Sequence, residues 1–365
     1  MKHRITMILL TLLTVGVAFS AIDISGHARV RPRYDVLDWD PYDDGNGVQS
    51  KMDIYYWYRV RLDFKADIGD NWFFKTSLGH NGPDYFIGKF SSAPYGTGGM
   101  AYTKYSMENS YRATVDWMEV YFGHSGEKAG FQMGVIPIPH NVMLDIHFYP
   151  NMPIDLPWLI WNNSSTGGFS VYHNVFGEKL NTYLTVDKNR TEYSEPADSG
   201  NPEYNYDTYS LGLDYSFNLG GHKIQPVFWK TLAPENISAP ITGGVNFSAP
   251  KIFGLNLSVS GAFTSQSVEN ENTETYSYSG WIFRPTAKGK IGPGTFVIWY
   301  DMAQLKYDDK TEDYGYLWAH YKWIAHKSYL GEFSVKPTLR ITTIDIPEVK
   351  SYQRTTFEIT TEIRF

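Results

Sequence analysis

The chain has 365 residues, of which 42% are hydrophobic, with 32 basic and 39 acidic side chains and no cysteine, for a formal charge of −7. A mean hydropathy of −0.35 rules out a polytopic helical membrane protein, which needs runs of about 20 apolar residues. The acidic balance argues against nucleic acid as the main partner, and an aromatic content of 16% with 32 glycines fits many strands and tight turns.

Met1-Lys2-His3-Arg4 is a short basic segment, and the apolar stretch Ile5 to Val17 is too short to span a bilayer with margin. Ala18-Phe19-Ser20 then supplies small residues at −3 and −1, so residues 1–20 read as a signal peptide cleaved after Ser20. Residues 21–365 form the mature domain, with 30 basic against 39 acidic residues and a charge of −9. Export without cysteine suits passage through an oxidising periplasm.

Period-2 alternation begins at once in the mature chain. It runs through His27-Ala28-Arg29-Val30-Arg31-Pro32-Arg33-Tyr34 and Tyr58-Arg59-Val60-Arg61-Leu62-Asp63-Phe64-Lys65-Ala66-Asp67. It returns at Tyr209–Phe217, at Leu255–Val259 and in the final segment Arg354–Phe365, while no window keeps a 3.6-residue period. Tight turns fall at 69–71, 125–127, 177–178, 219–221, 253–254, 292–294 and 329–331. Longer polar or Gly/Pro-rich connectors fall near 36–52, 83–113, 140–165, 188–205, 231–239, 266–275, 306–314 and 343–351. Fifteen connections imply sixteen strands, and short turns on one side with long loops on the other define an outer-membrane barrel with both termini periplasmic. Sixteen strands enclose an aqueous lumen.

Aromatics crowd the strand ends at Tyr55–Tyr58, Trp72–Phe74, Trp299-Tyr300 and Trp318, Tyr321, Trp323, as membrane interfaces favour. The chain stops on Phe365 after alternate Phe357, Ile359, Thr361 and Ile363, a signal of the kind read by the outer-membrane assembly machinery. The bilayer and its lipopolysaccharide are the expected surroundings.

In such a barrel the polar face lines the lumen. The first strand then points His27, Arg29, Arg31, Arg33 and Asp35 inward, and the second adds Arg59, Arg61, Asp63, Lys65 and Asp67, with Arg29 opposite Arg59 and Arg61. The last two strands contribute Lys336, Arg340, Arg354, Glu358, Glu362 and Arg364, with Arg340 expected opposite Arg354. Seven arginines therefore gather on one wall, each a fixed fork of donors for carboxylate, phosphate or sulfate. Two readings stand: a selectivity ladder for anions, or a wall neutralised by Asp63, Asp67, Glu358 and Glu362. Small lumen-facing residues (Ser210, Gly212, Ser216, Asn256, Ser258, Ser260) are expected to keep the lumen open, and Trp229, Trp299 and Trp318 could stack on sugar rings.

The third long connector carries Asp145, His147, Asp155, Trp158 and Trp161 among many aliphatic residues from Val142 to Ile160. That apolar content is expected to pack against the inner wall and constrict the pore. These features resemble a Gram-negative outer-membrane porin, with sixteen strands, a constricting third loop and an arginine wall. The opening strands, with Arg29-Val30-Arg31, Tyr58-Arg59-Val60-Arg61-Leu62 and Lys65-Ala66-Asp67-Ile68-Gly69-Asp70, also resemble the alginate-export and putative-porin barrels. That second resemblance implies an arginine-lined conduit for an anionic polysaccharide and usually eighteen strands, so eighteen stays open beside sixteen.

The acidic loop Asp38–Gly47 lacks the ligand spacing of a calcium hand, and His140, His147, His173 and His320 are scattered, so no metal is expected. No cofactor is called for. A barrel phospholipase would need a Ser–His pair on the outer wall, and His124-Ser125 lies in a predicted periplasmic turn, so no enzyme is expected. The reading is passive diffusion of small hydrophilic solutes, anions above all, through a barrel that works as a monomer or a homotrimer.

Overall fold

The computed structural model describes residues 22–38, 51–80, 88–90, 115–138, 165–188, 208–232, 239–269, 275–307, 310–345 and 351–365. Their backbone groups pair antiparallel, neighbour to neighbour, into one closed barrel. In chain order the staves are β1 (Ile22–Asp38), β2 (Lys51–Gly69), β3 (Trp72–His80), β4 (Val115–Ser125), β5 (Ala129–Pro137), β6 (Ser165–Val175), β7 (Glu178–Lys188) and β8 (Thr208–Tyr215). There follow β9 (His222–Leu232), β10 (Ile241–Ser248), β11 (Asn256–Glu269), β12 (Thr275–Ile291), β13 (Gly294–Tyr307), β14 (Lys310–Ser328), β15 (Gly331–Asp345) and β16 (Tyr352–Arg364). Two short segments continue existing staves. Phe217–Leu219 prolongs β8 along β9 past Ser216, and Gly88–Phe90 prolongs the line of β3 along β2. The wall therefore has sixteen staves.

Closure sets β16 beside β1 from His27 opposite Arg364 to Asp38 opposite Gln353. The last residue completes the seam: Phe365 and Gly26 exchange backbone hydrogen bonds of 3.1 and 2.9 Å. Such closure leaves no unpaired edge, which a bilayer would not tolerate.

The side-chain period of two sorts each stave into two faces. Outward residues are apolar and exposed, as at Val30, Val60, Phe263, Ile359 and Ile363, while inward neighbours such as Arg31, Arg59, Thr264 and Glu358 are buried. An inside-out pattern of this kind suits lipid outside and polar groups within.

All seven expected tight turns lie at one end of the barrel, and the longer connections at the other. Connector 306–314 is the exception to the expected lengths, because β13 runs to Tyr307 and β14 starts at Lys310. Its residues alternate well enough to pair (Gln304 with Asp313, Lys306 with Thr311), so polar composition there marks exposed strand, not loop. The leader 1–20 and the connector core 139–164, with Asp145, His147, Asp155, Trp158 and Trp161, lie outside the described residues.

Candidate functional site

The expected inward residues do meet on one wall, formed by β15, β16, β1 and β2. Arg29 stands opposite Arg59, and His27 opposite Arg61. Across the closing seam, Arg29 stands opposite Glu362 and Arg33 opposite Glu358. Between β15 and β16 the register is two residues away from the expected one: Arg340 faces Thr356, and Arg354 faces Thr342. The hairpin therefore folds about residue 348, not 347, and Arg354 turns to Asp35 on β1 at 2.5 Å.

Glu358 is the hub. Its carboxylate meets Arg31 at 3.1 Å, Arg33 at 2.9 Å and Arg340 at 2.6 Å, and accepts a further hydrogen bond from Thr360 at 3.0 Å. One negative charge thus serves three buried guanidinium groups. Glu362 holds Arg29 at 3.5 Å and also binds Arg364. On the other flank Arg61 binds Asp63 at 2.9 Å and Glu119 at 2.6 Å, and Lys75 approaches Glu119 at 3.4 Å. Arg59 is 3% exposed and sits between these flanks.

Glu119 and Asp35 do the neutralising expected of Asp67. The Asp67 carboxylate instead accepts the Gly69 backbone N–H at 3.0 Å and fixes the turn. Lys65 lies lower on the same face, exposed, opposite Asp23 and Lys75. Lys336 lies 5.9 Å from the centre of the Trp318 ring.

Beside the arginines stands an aromatic stack. Trp299 and Trp318 face each other across β13 and β14 with centroids 4.9 Å apart and planes within 8°. Arg340 covers the Trp318 ring at 3.9 Å, and Arg284 approaches the Trp299 ring at 5.6 Å. Arg284 is itself held by both oxygens of Asp301, with an Nη2–Oδ2 distance of 2.5 Å. These tryptophans point into the lumen, so they are not part of an interfacial belt; Trp72, Phe74, Tyr300 and Trp323 face outward and are exposed.

Nor do the tryptophans offer a surface for sugar rings. Trp318 lies between Trp299 and Arg340. Trp229 stacks on Tyr183 at 5.4 Å and rests on Gly212, where a Cβ would come within 2.5 Å of its ring. All three are 1–8% exposed. Gly212 therefore seats a tryptophan instead of widening the lumen. Nearby, Asp214 accepts hydrogen bonds from Asn181 (2.9 Å), Tyr183 (2.9 Å) and Gln225 (3.1 Å), all neutral donors.

The lumen wall also carries a buried apolar cluster that includes Ile136, Ile138, Ile282, Leu305 and Ile344. Arg284, Asp301, Glu119 and this cluster went unread in the sequence. In Trp281-Ile282-Phe283-Arg284 three apolar residues in a row hide the phase, and only the charge on Arg284 marks which face is inward. Among the described residues no group of three or more metal-ligating side chains comes together.

No protein-family model and no curated protein sequence matches the chain. Solved structures do. An anion-selective porin from Comamonas acidovorans superposes with a TM-score of 0.56 at 11% identity, covering 94% of this chain and 99% of that one. The OmpT outer membrane protein of Vibrio cholerae in its trimer form gives 0.55 at 8% identity, covering 94% and 99%. Salmonella typhi OmpF, solved with daunomycin, gives 0.54 at 10% identity, covering 93% and 97%. At these identities the likeness is one of fold: the molecule is a closed sixteen-stranded barrel of the outer-membrane porin type.

Proposed function

We propose that this chain is an outer-membrane channel that passes small hydrophilic solutes by passive diffusion and favours anions. The supporting observation is the charge balance of the wall. Arg29, Arg31, Arg33, Arg59, Arg61, Lys336, Arg340 and Arg354 are eight cations, and the carboxylates that meet them, Asp35, Asp63, Glu119, Glu358 and Glu362, are five. Ion pairing absorbs part of the arginine charge, and because Lys75 shares Glu119 and Arg364 shares Glu362, it leaves at least three positive charges on one side of the lumen. A fixed excess of one sign on a pore wall raises the local concentration of the opposite ion. The long loops are extracellular and the short turns periplasmic in this reading.

The core of the third connector lies outside the described residues. The buried aliphatics Ile136, Ile282, Leu305 and Ile344 sit on the inner wall toward the long-connector end, where water would be a poor neighbour. Ile136 and Ile138, at the mouth of that connector, already belong to this cluster.

A channel suits the molecule better than a barrel enzyme. His124 packs edge-on to Trp72 at 5.4 Å, while Ser125 pairs with the Tyr172 hydroxyl at 3.4 Å, so the two adjacent residues do not act as base and nucleophile. His27 and His320 accept hydrogen bonds from Arg29 and Trp318 at 3.2 and 2.7 Å, an arrangement that occupies one ring nitrogen of each. A polysaccharide conduit would gain from open aromatic faces, and the covered tryptophans do not provide them.

The test is single-channel conductance in a planar bilayer with reversal potentials under a salt gradient. Anion-selective current supports the proposal. Absence of current, or cation selectivity, overturns it.

A further inference from the structure

Away from the arginine wall, the inward faces of β3 to β7 leave a recess in the half of the barrel nearer the short turns. The registers run from Phe73 through Gly123, Gln132, Ser170 and Tyr183 to Gly212, which stands opposite Trp229, so these positions share the lumen face. The next row toward the turns is Gly130, Tyr172, Asn181 and Asp214. Two glycines hollow this wall. A Cβ at Gly123 would come within 2.8 Å of the Phe73 ring, and one at Gly130 within 2.5 Å of the Tyr172 ring. Both rings therefore lie on the neighbouring stave instead of projecting into the lumen. What remains is a cavity of about 450 Å³, whose polar lining is Gln132, Ser170, Tyr172, Lys179, Asn181 and Tyr183. Small-molecule sites occupy about 300–1,000 Å³.

The hydrogen bonds beside the recess decide what it offers. Asp214 is buried, and a carboxylate only accepts. It takes an N–H of Asn181 and the O–H of Tyr183, each at 2.9 Å. Gln225 donates to the same carboxylate at 3.1 Å, while its own side-chain oxygen accepts from Asn246 at 3.3 Å. The direction of this network is therefore fixed, with its donors turned to Asp214. Asn181 keeps its carbonyl Oδ1 to offer, and Tyr183 keeps a lone pair on Oη. The Tyr172 hydroxyl is tied to the turn, donating to the Gly126 carbonyl at 2.7 Å. Gln132 and Ser170 can both donate and accept. Lys179 lies 4.3 Å from the centre of the Tyr172 ring, and its charge and that of Asp214 cancel. The recess thus offers fixed acceptors without net charge, whereas the arginine wall offers charged donors.

We infer that this recess is a binding site for a sugar-sized, uncharged polyol. The solute gives hydroxyl hydrogens to Asn181 Oδ1 and Tyr183 Oη, completes bonds with Gln132 and Ser170, and rests its C–H groups on the partly exposed Phe73 ring. Asp214 is a positioning residue: it fixes which atoms Asn181 and Tyr183 present. A site built to bond a hydroxyl rejects an analogue that lacks it, because its own polar groups are then left unpaired. The inference needs an accessible lumen, and it is independent of the ion preference proposed above.

Sorbitol is the probe, and triethylene glycol dimethyl ether, of similar size but without a hydroxyl hydrogen, is the comparison. Binding is read by titration calorimetry on the full-length barrel in micelles and by block of single-channel current in a planar bilayer. Calorimetry needs no current and reversal potentials report ion preference separately, so a failed pore and a failed polyol site give different results. Sorbitol should bind at least about tenfold more tightly than the ether, the scale set by leaving one buried acceptor unpaired. Asn181→Leu should abolish that difference with the reversal potential unchanged. Asp214→Asn should bring the sorbitol-to-ether ratio toward one, because Asn181 can then turn round. Ser170→Ala with Gln132→Leu leaves the Asp214 network intact and should weaken sorbitol alone, so the test stands even where Asp214→Asn does not fold. Gluconate, the same carbon chain with a carboxylate, should bind at this recess no better than sorbitol. Equal binding of sorbitol and ether, or a preference that survives Asn181→Leu, overturns the inference. A gluconate preference that vanishes in Lys179→Gln overturns the uncharged class and makes Lys179 the reader of an acid.

Discussion

Arg29 and Arg59 stand directly opposite each other on β1 and β2, both facing the lumen. Like charges so placed repel, and the pair persists because carboxylates flank it from both sides. Glu362 on β16 reaches Arg29 at 3.5 Å, and Glu119 on β4 reaches neighbouring Arg61 at 2.6 Å. The wall is thus a row of guanidinium groups held between acids supplied from its two edges, with the highest density of positive charge at its centre. That arrangement separates two roles which the sequence left undivided. The edges hold the structure together, and in the proposed channel the centre sets the field a solute meets.

The selectivity prediction addresses the centre. Arg31→Ala with Arg59→Ala removes two positive charges from the wall and should move the reversal potential under a potassium chloride gradient toward zero. Conductance should fall little, since both changes remove volume. The preference of the unaltered channel should also weaken with salt, because the screening length shrinks from about 10 Å at 0.1 M to about 3 Å at 1 M. A selectivity that ignores salt would place the filter elsewhere.

The hub at Glu358 carries the largest structural consequence. Glu358→Gln keeps the shape and deletes the one charge shared by Arg31, Arg33 and Arg340. Breaking a buried ion pair by removing one partner costs about 3–5 kcal/mol, and a lower urea midpoint in micelles or vesicles measures it. Where the variant still inserts, it should be more anion-selective than the parent. Destabilisation with unchanged selectivity would mean that the hub lies outside the field of the pore.

How much of this was legible from sequence depends on the alternation. His27–Tyr34 and Tyr58–Asp67 place charged and apolar residues strictly in turn, so strand phase, lumen face and the Arg29–Arg59 register could be read directly. The turn at Gly69-Asp70-Asn71 follows from an equally local signal. The aromatic stack was less accessible. Trp299 sits in Val297-Ile298-Trp299-Tyr300, where every residue is apolar or aromatic, and period two then carries no information about face. A tryptophan in such a run looks interfacial, yet pairing of β13 with β14 brings it onto Trp318. Glu119, in Trp117-Met118-Glu119-Val120, also reads as an isolated acid until β3 and β4 set it beside Arg61. Composition shows that a residue is apolar or charged, but only the register shows its partner.

Gly212 tests how tightly the lumen is packed. Its missing side chain seats Trp229, and a Cβ there would lie 2.5 Å from the ring, with Tyr183 stacked on that ring. Gly212→Val should therefore destabilise the barrel by about 1–3 kcal/mol, the usual cost of overpacking. Gly243→Val is the control, since nothing lies within 4 Å of the position its Cβ would take. Thermal unfolding followed by near-ultraviolet circular dichroism reads both, and the Trp229–Tyr183 signal should change only in the first. Equal effects would show that glycine in a strand is itself the issue.

The Arg284–Asp301 pair separates charge from packing. Both side chains are buried at 0–1% exposure, with bonds from Nε and Nη2 to the two carboxylate oxygens, and the guanidinium also lies 5.6 Å from the Trp299 ring. Asp301→Leu alone leaves a buried cation without its counter-ion and should cost about 3–5 kcal/mol. Adding Arg284→Met removes that cation and keeps an apolar stem against Trp299, beside Ile282 and Ala303 of the same cluster. The double variant should then recover most of the loss, since apolar replacement of a buried ion pair is often neutral or stabilising. A double-mutant cycle on urea midpoints gives the coupling directly. Recovery would identify the pair as a local solution to burying two charges, with packing around Trp299 as the requirement of the fold at this level. Failure to recover would mean that Arg284 is held for the lumen, adding a positive pole on β12 that the solute itself meets.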